Sequence, residues 1–186
     1  MKLICVFGSV NNSIDDKYKK AGINLGKRIA KENYGLIYSG MKNGMSGAVA
    51  KGVKEESNMP IIGVMPEFFK TTKVNEIYDD CTEKIFTDNI SKRKEIMKEK
   101  SDAIIVTPGG VGTFDELFDA ICTKRWGLID KPIIIYNIDN YYKKLIEMLD
   151  YSIETNFGKG NYKETYKIFD NLDEIFNYIN SYNNKE

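Results

Sequence analysis

The chain has 186 residues, with 27 basic and 27 acidic side chains and no histidine. That length fits one domain, and a formal net charge of zero provides no field to recruit nucleic acid or an anionic membrane. The missing histidine excludes Ser-His-Asp and Cys-His catalysis, HExxH zinc sites and His-ligated haem. Chemistry must then rest on carboxylates, Lys, Arg, Tyr, hydroxyls, thiols or backbone amides.

In chain order, Leu3–Phe7 reads as a strand ended by Gly8-Ser9, and Tyr18–Glu32 as an amphipathic helix with Ala21, Leu25, Ile29 and Ala30 at helical spacing. Leu36–Ser39 is a second strand, followed by the glycine-rich SGMKNGMSG at 39–47 and a helix over Ala48–Glu56. Ile61–Met65 is a third strand closed by Pro66, and Lys84–Thr87 a short strand before a helix over Ile90–Lys100. Ala103–Thr107 leads as a strand into PGGVGT at 108–113 and a helix to about Gly127. Pro132–Tyr136, Tyr141–Thr155, Tyr166–Phe169 and Leu172–Tyr182 follow as strand, helix, strand and helix. The alternation predicts an α/β fold, a single Rossmann-like domain over residues 1–186 with a parallel sheet flanked by helices on both faces. The Asn-rich end, Asn180–Glu186, is expected to fray.

Cys5, Cys81 and Cys122 are widely spaced and form no CxxC pair, so neither a disulfide framework nor a zinc site is indicated. Cys5 and Cys122 lie in apolar stretches and read as reduced, buried thiols. The apolar run in MKLICVFGS is too short for a signal peptide, and no stretch approaches a membrane span. The expected compartment is the cytoplasm, with no membrane and no nucleic acid as partner.

Both glycine-rich segments lead from a strand into a helix, the position where open parallel sheets bind ligands. Glycine admits close approach of an anion, and the following helix start presents unpaired N–H groups. Gly109, Gly110 and Gly112 with Thr113 thus form a candidate phosphate cradle, and Gly40, Gly44, Ser46 and Gly47 a second. The alternative is that these glycines only turn the chain. Neither segment is a P-loop or a GxGxxG fingerprint, so a phosphate is indicated rather than a triphosphate or dinucleotide.

At 100° per residue, Arg93 falls near the middle of an apolar arc of Ile90, Ile96 and Met97, flanked by Lys94 and Lys100. An inward arginine needs an anionic partner, whether a ligand or a structural carboxylate, unless its stem carries the charge out to water. Thr113-x-x-Glu116 reads as a capping box, with the carboxylate closing a helix start. The apolar face of that helix is Phe114, Leu117, Phe118, Ile121 and Cys122; Glu116 shares another face with Thr113, Ala120 and Thr123, suited to a pocket wall or a subunit contact.

PGGVGTFDE at 108–116 resembles the PGGxGTxxE signature of the LONELY GUY family of cytokinin riboside 5′-monophosphate phosphoribohydrolases, proteins often labelled lysine decarboxylases. The resemblance covers most of the chain. Gly8-Ser9 is similar to the family's opening turn, SGMKNGMSGAVA at 39–50 to its GGGxxGLMGxVA loop, Arg93-Lys94 with Met97 to its MHxRKxxM helix, and Asp130-Lys131-Pro132 to its DKP. Ser39 and Met41 stand where that loop has glycine, Met45-Ser46 where it has Leu-Met, and Ile90-Ser91 where the helix has Met-His. These departures bear on base preference more than on the reaction.

The resemblance implies that Arg93 and Glu116 are catalytic, and that Gly8, Ser9, Gly40, Gly44, Lys94, Gly109, Gly110, Gly112 and Thr113 bind substrate or phosphate. It implies a homodimer with the site near the interface, no metal and no cofactor, and hydrolysis of the N-glycosidic bond of a nucleoside 5′-monophosphate, AMP or an N6-modified cytokinin riboside monophosphate. Glu116 would favour charge developing on the ribose and orient water, while Arg93 would hold phosphate or the departing base. The rival expectations are a carrier that binds a nucleotide or the molybdenum cofactor without cleaving it, and an amino-acid decarboxylase, for which no Schiff-base lysine is marked.

Overall fold

Continuous apolar runs such as Leu3–Phe7 and Ala103–Val106 are buried on both faces, as the centre of a parallel sheet requires. The computed structural model describes residues 1–71, 76–158 and 160–183. Within them lie β1 (Leu3–Phe7), β2 (Gly35–Tyr38), β3 (Ile61–Pro66), β4 (Glu83–Thr87), β5 (Ala103–Val106), β6 (Ile133–Tyr136) and β7 (Lys167–Phe169). All pair in parallel, in the order β4-β3-β2-β1-β5-β6-β7. The chain works outward from β1 to β4, then returns across the sheet to β5 on the other side of β1. The carboxyl ends of β1 and β5 therefore flank the point where strand order reverses.

The helices are α1 (Asp16–Lys31), α2 (Gly44–Glu56), α3 (Ile90–Lys100), α4 (Val111–Arg125), α5 (Lys143–Glu154) and α6 (Leu172–Asn183). Strand alternation divides the core between two faces. Ile4, Val6, Leu36 and Tyr38 pack with Leu25 and Ile29 of α1, Val49 and Val53 of α2, and Phe176 of α6. Cys5, Phe7, Ile37 and Val64 pack on the opposite face with Met97 of α3 and Leu117 and Ile121 of α4, where Leu145 and Leu149 of α5 join them. This is the expected α/β architecture, with helices on both faces.

Element boundaries differ from expectation chiefly at the helix starts. α2 begins at Gly44 rather than Ala48, so the second half of the 39–47 segment is its first turn. α4 begins at Val111, capped by Gly110. α6 continues through Asn183, and residues 184–186 of the stretch expected to fray lie outside the described residues. Among the described residues no helix is long and apolar enough to cross a membrane.

Candidate active site

A cleft of about 380 Å³ opens above the carboxyl ends of the central strands. Gly8, Ser9 and Asn11 reach it after β1, Ser39, Met41 and Ser46 after β2, Phe69 after β3, Ile90 and Arg93 from α3, and Gly110, Gly112, Thr113, Asp115 and Glu116 from α4. Its floor is tightly knit. Thr107 Oγ1 donates to the Phe7 carbonyl at 3.0 Å, and a β-carbon on Gly8 would stand 2.2 Å from that hydroxyl. Only glycine therefore lets β1 turn off here. Ser46 Oγ donates to the Gly8 carbonyl at 2.9 Å, and the Ser9 amide donates to the Pro108 carbonyl at 3.2 Å, joining both turns across the switch point.

The PGGVG turn feeds α4 through Gly110, which caps the helix in extended conformation without a side-chain bond. The Val111, Gly112 and Thr113 amides are the first of the helix and have no partner one turn back. A β-carbon on Gly110 or Gly112 would meet nothing within 4 Å. Two tyrosines beside α5 hold the turn from behind: Tyr141 Oη donates to the Gly109 carbonyl and Tyr142 Oη to the Thr107 carbonyl, each at 2.7 Å. The open amides and their positive helix end face the cleft, an arrangement suited to a phosphate.

Arg93 and Glu116 meet in the same cleft. Arg93 Nη2 lies 2.5 Å from Glu116 Oε1, with the two side chains 12% and 7% exposed, and Arg93 Nε donates to the Val64 carbonyl at 3.2 Å. Burial pushes the Glu116 carboxyl up from its ordinary value, while the Arg93 guanidinium pulls it back. Asn89 caps α3, accepting from the Lys92 amide at 2.8 Å, and so sets the rotation that turns Arg93 inward. Between the same two helices, Lys94 Nζ lies 2.8 Å from Asp115 Oδ1 and Lys98 Nζ pairs with Asp119.

The capping box between Thr113 and Glu116 is not formed. The helix already starts at Val111, so Thr113 is its third residue and Glu116 faces the interior. The small-residue face is part of the cleft wall and its buried backing, through Thr113, Glu116 and Ala120. Cys5 is buried as expected, but Cys122 is exposed, because it follows buried Ile121 by one 100° step around α4. Of the anticipated binding residues, Gly8, Ser9, Gly110, Gly112 and Thr113 line the cleft and Gly40, Gly44, Lys94 and Gly109 do not. The Lys94 ammonium is held by Asp115, and Gly109 packs against the Thr113 side chain. Asn11 and Phe69 also line the cleft with no motif to single them out, as does Asp115, at a variable position of the PGGxGTxxE signature. Among the described residues no group of three or more His, Cys, Asp or Glu side chains is placed to hold a metal ion.

The family model described as "Possible lysine decarboxylase" matches residues 45–179. "Cytokinin riboside 5′-monophosphate phosphoribohydrolase LOG1" of Arabidopsis thaliana is 34% identical over 159 residues, covering 84% of this chain and 72% of that protein. "Probable cytokinin riboside 5′-monophosphate phosphoribohydrolase LOGL2" of Oryza sativa subsp. japonica is 34% identical over 155 residues, 83% of this chain, but the match spans only 62% of the rice protein. Among solved structures, the molybdenum cofactor binding protein of Rippkaea orientalis superposes with a TM-score of 0.72 at 22% identity, covering 97% of both chains; at that identity the likeness is one of fold. The matched span and the Arabidopsis relative together assign the chain to the LOG family, the same family whose model carries the lysine decarboxylase description.

Proposed function

We propose that the cleft hydrolyses the N-glycosidic bond of a nucleoside 5′-monophosphate, releasing free base and ribose 5-phosphate. The observation that carries this reading is the buried Arg93–Glu116 pair standing beside an open helix start in one cleft. The 5′-phosphate binds the Val111–Thr113 amides and the Gly8-Ser9 turn, at the β1 and β5 end. Met41, Phe69 and Ile90 line the end over β2 and β3, an apolar seat for a purine, plain or N6-substituted. This order sets the sugar under Glu116. The carboxylate stabilises the oxocarbenium-like transition state and orients the attacking water. Water adds to C1′ as the C1′–N bond gives its electron pair to the base, and the proton released by the water passes through Glu116 to the departing base. Arg93, anchored over β3, offers its remaining N–H groups to the base as it gains charge.

A decarboxylase dependent on pyridoxal phosphate fits these residues poorly. That cofactor requires a lysine for its Schiff base, and no lysine lines the cleft among the described residues. Lys94 and Lys98 are engaged with Asp115 and Asp119. The proposal includes a homodimer. Trp126, Leu128, Met148, Tyr151 and Phe157 are exposed apolar side chains on or beside α4 and α5, and Val111 is exposed where α4 enters the cleft. It also includes the cytoplasm, which suits the free thiols of Cys5, Cys81 and Cys122.

The test is base release from AMP, GMP, CMP and isopentenyladenosine monophosphate, by the native chain and by Glu116→Gln. Release that falls by about a hundredfold or more in the variant, with AMP still bound, supports the hydrolase. Binding without release by the native protein would make it a carrier instead.

A further inference from the structure

Ser39 follows β2 directly and is 7% exposed, yet its Oγ has no hydrogen-bond partner among the described residues. Neighbouring hydroxyl groups are engaged: Thr107 with Phe7, Ser46 with Gly8, and Ser9 as acceptor from the Asn11 amide at 3.1 Å. A buried hydroxyl left unpaired costs stability, and a ligand group can supply its partner. Alternation along the strand puts Ser39 on the face of Ile37, the side covered by α3 and α4. The Tyr38–Gly63 pair is the last of its ladder, so Ser39 stands one step beyond it, level with Val64. The Val64 carbonyl holds Arg93 Nε. Ser39 therefore lies beside the strand position that anchors Arg93, on a wall of the cleft that Glu116 also lines.

Across the sheet, the phosphate end lies over β5 and β1 and the apolar end over β2 and β3, so Ser39, directly at the end of β2 and two residues before Met41, borders the pentose between them. The sugar hydroxyl nearest the bond to be broken is the 2′-hydroxyl, a donor and acceptor like that of serine. We infer that Ser39 Oγ binds the ribose 2′-hydroxyl and makes this chain select ribonucleotides over 2′-deoxyribonucleotides. The inference rests on the nucleotide reading above.

The experiment compares the native chain with Ser39→Ala, measuring calorimetric binding of AMP and 2′-deoxy-AMP and, separately, release of adenine from each. The native protein should favour AMP by about tenfold or more, and Ser39→Ala should bring AMP down to the level of 2′-deoxy-AMP while leaving the latter unchanged. The unliganded variant should melt no lower than the native protein, since it loses an unpaired hydroxyl. An equal AMP preference in both proteins, or a marked loss of stability in the variant, overturns the assignment. If the binding preference behaves as expected but no adenine is released, the hydrolase reading fails and Ser39 keeps its role. If adenine is released with the preference unaltered, the reverse holds, and if neither nucleotide binds, both fail.

Discussion

The two glycine-rich turns look alike in sequence and behave differently in the fold. In the 108–113 turn, the Gly110 and Gly112 positions open onto free space. In the 39–47 turn, Gly40 and Gly44 adopt positive φ, and a β-carbon on Gly44 would stand 2.6 Å from the Ser9 carbonyl oxygen. A β-carbon on Gly47 would stand 1.8 Å from the Lys42 carbonyl oxygen. The start of α2 is likewise spent, since the Ser46 amide donates to the Ser9 carbonyl at 3.0 Å. One turn leaves its glycine positions open to the cleft; the other uses glycine to bring backbone against backbone and to brace the first. Glycine count does not separate these roles, whereas the space around each α-carbon does.

That contrast is most directly broken at Gly44. Gly44→Ala must carry positive φ and displace the chain at Ser9–Asn11, so it should cost about 3 kcal/mol, read by urea unfolding. Native stability in this variant would return the 39–47 turn to the ligand-binding class. Gly112→Ala has room and sits in a helix, so its stability should match or slightly exceed the native value. Its KM for AMP should rise by about tenfold where the methyl group meets the phosphate, so an unchanged KM would move the phosphate elsewhere. Removing one back-side brace with Tyr141→Phe should raise KM by only about threefold and spare kcat; a fall in kcat alone would mean that the hydroxyl acts on the chemistry.

The effect of pH sharpens the same comparison one turn further along α4. Catalysis by ionised Glu116 should fade as pH drops, with an acid limb above the ordinary glutamate value because burial raises this carboxyl. Stability from this group runs the other way. A raised carboxyl binds its proton more tightly folded than unfolded, so its contribution falls as pH climbs from the ordinary value through the raised one. An acid limb at or below the ordinary value, in an assay with the Glu116→Gln control, would separate Glu116 from the chemistry.

The fold was legible because its strands are short, continuous apolar runs and its helices carry 3.6-residue periodicity, as at Leu3–Phe7 and along α1. The segment between β3 and β4 was not, since the short 3-10 turn Glu67–Lys70 and the bridge between Met41 and Ile77 depend on tertiary contact. At the site, helical spacing exposed Arg93 as an inward charge, but its partner lies 23 positions away on another helix. Glu116 mimicked a capping residue because a glycine N-cap leaves a weaker trace than Thr113 does. Lys94 carried no sign of its capture by Asp115, which is set by how α3 lies across α4.

The paired helices α3 and α4 also fix when the Glu116 carboxylate loses its water. Arg93–Glu116, Lys94–Asp115 and Lys98–Asp119 form a ladder whose outer rungs touch solvent and whose innermost rung is buried. Outer rungs of this kind add little energy, yet they make sliding one helix past the other unfavourable. Glu116 is thus stripped of solvent once, when the protein folds. Under the proposed reading, a nucleotide entering the cleft meets a charge already aimed.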